Sequence, residues 1–173
     1  MDGGLATTTS HERTSKRRVV SITGSAAHRP WVVLAMLHRH DVLIFDLDGT
    51  LWDASEASAV GWTRAARAHG IERTLTADDI GRVCGLTFET CARTLFPELS
   101  EARLRALMPH LGEQEAIAVR ERGGRPYPGV VDGLRRLAES GPLDLLSNCG
   151  RWYLELFLEQ TGTGNLFRDT LCH

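Results

Sequence analysis

Asp41-Val42-Leu43-Ile44-Phe45-Asp46-Leu47-Asp48-Gly49-Thr50 is the stretch on which the reading of this chain turns. Val42 to Phe45 are apolar and partly β-branched, as in a strand covered on both faces. Side chains two apart on a strand share a face, so Asp46 and Asp48 leave its end toward the same side. Gly49 accepts backbone angles that a side chain forbids, which allows a sharp bend directly after the carboxylates. In open α/β sheets ligands bind beyond the carboxyl ends of the strands. The turn is therefore a candidate site.

Downstream the pattern becomes helical. Asp53-Ala54-Ser55-Glu56 has the form of a capping box, and a helix is expected from there to about His69, with Gly70 as its stop. Ala57, Gly61, Ala65 and Ala68 make one face narrow enough for close packing. Thr76 begins a second short helix, Thr87 a third over Phe88 to Leu95, and Ser100 a fourth with Leu104, Leu107 and Leu111 on one side. Pro109 is expected to bend or interrupt that helix, and Gly123-Gly124 ends it. Trp62 and Phe88 read as core of this helical segment; His69 and His110 read as surface residues.

Arg125-Pro126-Tyr127-Pro128-Gly129-Val130 is a turn-rich hinge. A helix with Val130, Leu134 and Leu137 on one face follows, then a strand over Leu143 to Leu146. Ser147-Asn148-Cys149-Gly150 follows that strand, then a helix from about Arg151 to Gln160. Thr170-Leu171-Cys172 is expected to begin another strand.

Composition narrows the function classes. The chain has 173 residues, 42% hydrophobic, enough for one domain with a small insert. A net charge of −2 gives no case for nucleic acid or a membrane surface, and no apolar run approaches the ~18 residues of a membrane span. Cys84, Cys91, Cys149 and Cys172 are scattered, which suggests neither a zinc site nor a disulfide frame, and points to reduced thiols in a cytoplasmic protein. Residues 1–35 hold no helical or strand period. They read as a disordered tail or as a misassigned upstream start, with Met36 standing a few residues before the first strand.

Asp46 to Leu51 match every fixed position of D-x-D-G-T-L, and so resemble motif one of the haloacid dehalogenase superfamily. The resemblance implies an α/β fold: a Rossmann-like parallel-sheet core with an inserted α-helical cap. The expected organisation is an extension over 1–38, a core over 39–53 and 125–173, and a cap over 54–124. The implied function is a phosphatase that hydrolyses a small phosphorylated metabolite through an aspartyl-phosphate with Mg2+. By the same resemblance Asp46 is the nucleophile and Asp48 the general acid/base, and both serve the metal. Gly49 and Thr50 border the phosphate. Tyr127-Pro128-Gly129-Val130 is similar to the family's re-entry into the core. Ser147 resembles motif two, a small neutral donor to a phosphoryl oxygen, and Asn148 can add a further donor. Ser147-Asn148-Cys149-Gly150-Arg151-Trp152-Tyr153 looks like a phosphoglycolate phosphatase-like subgroup. Cys84-Gly85-Leu86-Thr87 resembles a cap loop turned toward substrate, and reads equally as a plain turn capped by Thr87.

The family's motif three is usually a lysine, and motif four an acidic pair that completes the magnesium site. No lysine follows Lys16, and Asp169 is expected before a strand instead of at its end. The core is therefore expected to be incomplete at its C-terminus, the chain a truncation of uncertain activity, and one edge of the catalytic strand uncovered. A phosphomutase shares the visible residues. A carbon–halogen dehalogenase has no alcohol to protonate, so Asp48 argues against it. A non-catalytic protein that binds a partner or phosphometabolite is the alternative from another class.

Overall fold

The computed structural model describes the backbone of residues 19–22 and residues 42–172 in full. In chain order the elements are β1 (Val19–Ile22), β2 (Val42–Phe45) and the short β3 (Trp52–Asp53). Helices α1 (Ser55–Ala68), α2 (Ala77–Gly81), α3 (Phe88–Leu95) and α4 (Glu101–Arg122) follow, then the short β4 (Arg125–Pro126). The chain closes with α5 (Val130–Ala138), β5 (Leu143–Leu146), α6 (Arg151–Thr161), a 3-10 turn (Gly164–Leu166) and β6 (Phe167–Leu171).

The fold is α/β, with a Rossmann-like parallel sheet and inserted helices. Four strands lie in the order β1-β2-β5-β6, and every pairing is parallel. Leu43 pairs with Leu143 and Phe45 with Leu145, so the ends of β2 and β5 come to one rim. The apolar run that begins the sequence argument is thus an inner strand. Leu43, Phe45, Leu143 and Leu145 pack with Leu134, Leu154 and Phe157, which places α5 and α6 over the sheet. A second cluster lies wholly in the insert, around Trp62, Ile80, Phe96, Leu107 and Leu111.

The chain leaves the core at β3 and returns at β4, and these two crossings pair antiparallel, Trp52 with Pro126 and Asp53 with Arg125. Trp52 is fully buried there. A Cβ at Gly124 would lie only 2.3 Å from its ring, so glycine is needed for the return strand to pass.

Several local expectations are corrected. The N-cap of α1 is Ala54 and makes no side-chain cap. Asp53 instead accepts from the Ser55 N–H and hydroxyl, and Glu56 pairs with Arg125. Ala68 is exposed, so the narrow face of α1 ends at Ala65. α4 runs unbroken through Pro109, because Leu104, Leu107 and Leu111 on one side hold both halves in the same core. The last strand begins at Phe167, and Asp169 lies inside it opposite Asp144, with Arg168 pairing both carboxylates. Within the segment read as lacking any strand period, Val19–Ile22 forms β1. It covers the edge of β2 that was expected to be open. The remainder of the reading of residues 1–38, Met36 included, lies outside the described residues. The expected caps at Thr76, Thr87 and Ser100 form, Thr76 with Asp79 as a reciprocal capping box.

Candidate active site

The carboxylate turn is organised around one buried carbonyl. Leu47 is inaccessible to solvent, and its oxygen accepts from the N–H groups of Thr50, Leu51 and Trp52 at 2.9–3.2 Å. Gly49 closes the turn with φ +70° and donates to Trp52 O at 3.1 Å. Burying Leu47 inward and turning at Gly49 leaves the side chains on either side, Asp46 and Asp48, at the rim. Both line a cavity of about 850 Å³ between the sheet and the helical insert.

The two carboxylates sit in different surroundings. Asp48 Oδ1 accepts a 2.6 Å hydrogen bond from the Tyr153 hydroxyl, which in turn accepts from Trp52 Nε1 at 3.1 Å. Burial raises the Asp48 carboxyl to about 6; the Tyr153 bond opposes that rise, and the charges of Asp46 and Asp53 add to it. Asp46 is half-buried and is raised less, by burial, against a backbone hydrogen bond from Leu47. Two acids whose environments separate their protonation are the arrangement that acid and nucleophile roles require. Burial and the Asp48 charge hold the Tyr153 phenol well above its ordinary range, so it remains a donor.

Of the remaining residues expected at the site, Gly49, Ser147 and Asn148 also line the cavity. The Ser147 hydroxyl oxygen accepts from the Cys149 N–H at 3.3 Å, which leaves its own proton to donate. Asn148 Nδ2 donates to Gly85 O in the insert at 3.1 Å, so its amide is engaged with the cap loop. That loop, Cys84 to Leu86, lines the cavity as well. Thr50 is buried behind the turn and is not part of the lining. The thiols at the site are inert as nucleophiles: burial pushes Cys84 and Cys149 up to about 12 and Cys91 to about 11.

Residues 43–173 match the profile of the family described as haloacid dehalogenase-like hydrolase. This chain belongs to that family. A phosphoglycolate phosphatase from Vibrio cholerae is 31% identical over 137 residues, which are 75% of this chain and 60% of that protein. The chain therefore spans less than two thirds of the curated relative's length. A haloacid dehalogenase-like family hydrolase from Streptococcus pneumoniae superposes with a TM-score of 0.66 at 21% identity, over 77% of this chain and 61% of the other. A hydrolase from Pseudomonas syringae gives 0.58 at 24% identity, over 74% and 59%. At these identities the two structures bear on the fold alone.

Magnesium is the metal expected in this family. Among the described residues, no group of three or more His, Cys, Asp or Glu side chains is placed to hold a metal. Asp46 nevertheless brings a carboxylate to the cavity, and the chain at Asp48 a backbone carbonyl, both hard oxygen donors. Mg2+ is commonly held by one or two carboxylates, with waters and substrate phosphate completing the shell. The Asp46 carboxylate and the backbone carbonyl of Asp48 would hold magnesium, which leaves the Asp48 carboxyl for proton transfer. No helix among the described residues is long and apolar enough to cross a membrane.

Tyr153 and Glu115 also line the cavity, and the sequence reading did not assign them, while Trp62 packs in the core of the insert as expected. Tyr153 had a signal, since it stands in the first turn of the helix that follows the Ser147 strand tip. Glu115 had none, being one acid among several on a polar helix.

Proposed function

We propose that this chain carries the catalytic half-site of a phosphomonoester hydrolase acting on a small phosphorylated metabolite. The observation that carries this reading is the pair of half-buried carboxylates at one cavity rim, with Asp48 alone bonded by the Tyr153 hydroxyl. Asp46 attacks phosphorus in line and takes the phosphoryl group as an aspartyl-phosphate. Asp48, protonated up to about pH 6, gives its proton to the leaving alcohol and then takes one from the water that cleaves the acyl phosphate. Ser147 donates its hydroxyl proton to a phosphoryl oxygen without adding charge. When bound, magnesium neutralises part of the charge that the phosphate and the two carboxylates bring together. The name of the Vibrio cholerae relative supports phosphatase chemistry at this site.

The test is magnesium-dependent phosphate release from an aryl phosphate. Release is expected from the parent protein and is lost in Asp46→Asn. Undiminished release from Asp46→Asn would remove the nucleophile assignment. A second reading, phosphometabolite binding without turnover, is favoured by the lack of a third acidic ligand among the described residues. It predicts saturable phosphoester binding with no release.

A further inference from the structure

Tyr153 is a buried ionisable group that the phosphoryl-transfer steps leave unused. Its ring meets Trp52 edge-on at 6.1 Å and Trp152 edge-on at 5.4 Å, which holds the direction of the phenol. Trp52 is fixed in turn: it is fully buried, stands edge-on to Phe157 at 5.4 Å, and leaves no room for a side chain at Gly124. An indole N–H can only donate, so the 3.1 Å bond from Trp52 Nε1 occupies a lone pair of the Tyr153 oxygen. The single hydroxyl proton then goes to Asp48 Oδ1 at 2.6 Å. If Oδ1 carried a proton and donated instead, the hydroxyl proton would lose its acceptor at a buried position, which is costly. The Tyr153 bond is the one hydrogen bond that the Asp48 side chain makes among the described residues. Oδ2 is left for whatever enters the cavity that Asp48 lines.

We propose that Tyr153, oriented by Trp52, is a positioning residue that occupies Asp48 Oδ1 through the whole cycle, so that Oδ2 alone gives and takes the proton. The inference rests on the phosphomonoester reading for what receives that proton. In the first step the bond from phosphorus to the alcohol breaks, its electron pair stays on the alcohol oxygen, and the Oδ2 proton moves there. In the second, a water oxygen bonds to phosphorus and the bond to Asp46 breaks, its electron pair returning to the carboxylate. A water proton moves to Oδ2 and restores the starting state. Both transfers use one oxygen, so Asp48 does not turn between them. Without the hydroxyl, the carboxyl torsion is broad and either oxygen can carry the proton. The acid is then less often within hydrogen-bond reach of the departing oxygen.

The experiment has a kinetic and a spectroscopic arm. Phosphate release in magnesium is followed for nitrophenyl, phenyl and glycerol phosphates, whose alcohols need a proton increasingly to depart. General acid catalysis is worth about 10²–10⁴-fold, so Tyr153→Phe is expected to lower kcat/KM at least about tenfold on the poorest leaving group used and less than about threefold on nitrophenyl phosphate. A merely structural role lowers all alike, and equal losses overturn the proposal. The second arm uses the hydroxyl proton signal of Tyr153, assigned by its contact with the Trp52 indole proton above neutral pH. It is expected downfield in the parent, and upfield of that position in Asp48→Asn, where the acceptor is neutral. A signal at the same place in both proteins, or none in the parent, also overturns the proposal. Release with an unmoved signal sinks the positioning role and leaves the hydrolase reading. A moved signal with release from no ester sinks the hydrolase reading and leaves Tyr153 holding Oδ1.

Discussion

The Tyr153 hydroxyl donates to Asp48 Oδ1 at 2.6 Å across 105 positions of sequence, joining the first turn of α6 to the turn after β2. Trp52 Nε1 donates to the same hydroxyl, so the buried aromatic at the cap boundary, the phenol and the carboxylate form one chain. A hydrogen bond to an ionised acceptor is worth more than one to a neutral group. Tyr153→Phe is therefore expected to cost about 1.5–3 kcal/mol at pH 8, where Asp48 is charged, and about 1 kcal/mol at pH 4.5, where it is neutral. Urea denaturation of both proteins at the two pH values measures the difference. Equal losses at both would mean that the bond does not serve the carboxylate.

Asp48 also gives the fold a pH dependence of definite sign. Its carboxyl titrates near 6 in the folded chain against an ordinary 3.8, so the folded state binds the extra proton between those values. Its stabilising contribution is complete below pH 3.8 and is lost as pH rises through about 6. Roughly two pKa units correspond to about 3 kcal/mol, an order-of-magnitude figure. Asp46 and Glu115 are raised in the same direction. In chelator, stability is expected to fall from pH 4 to pH 7, and Asp48→Asn to remove the largest part of that slope. A parent protein equally stable at both ends would contradict the buried setting of Asp48.

Gly61 is where α1 rests on the backbone of α4. A methyl group there would meet the Gln114 carbonyl and the Glu115 Cα at 2.5–2.6 Å, and backbone cannot rotate away as a flexible side chain can. Gly61→Ala is expected to destabilise by about 1–3 kcal/mol. Gly81, at the end of α2 with nothing within 4 Å of its virtual Cβ, is the control. Gly81→Ala is expected to be neutral or to stabilise by up to about 1 kcal/mol. Thermal unfolding of the two variants separates close packing from a general intolerance of substitution. Similar midpoints for both would mean that the helices can part at no cost.

What was legible in the sequence, and what was not, divides along physical lines. β2, β5 and the caps at Thr76, Thr87 and Ser100 rest on local signals, an apolar run or an acceptor three residues before a donor, and these appear where the sequence puts them. Asp46 and Asp48 lie beyond the last strand residue, Phe45, and reach one rim because the turn buries Leu47 between them. Pro109 misled, because the cost of one missing N–H is local while Leu104, Leu107 and Leu111 gain from a continuous helix. Asp53 misled as an N-cap because the same carboxylate can serve Ser55 from one residue further out. The Tyr153 bond to Asp48, and Glu115 lining the same cavity from the insert, join segments far apart in the chain. No local pattern encodes them.

The pairing of β1 with β2 yields a last test, one that bears on what closes the edge of the carboxylate-bearing strand. Val19 pairs with Val42 and Ile22 with Phe45 in parallel register, so backbone groups on the outer edge of the carboxylate-bearing strand are engaged. A chain begun at Met36 lacks that partner and presents β2 as a free, apolar edge, which is a template for pairing with another molecule. Such a variant is expected to self-associate at concentrations where the parent does not, and to unfold at lower urea. Light scattering across a dilution series, with denaturation alongside, measures both. If the shortened chain keeps the parent's association state and midpoint, β1 contributes nothing to the sheet.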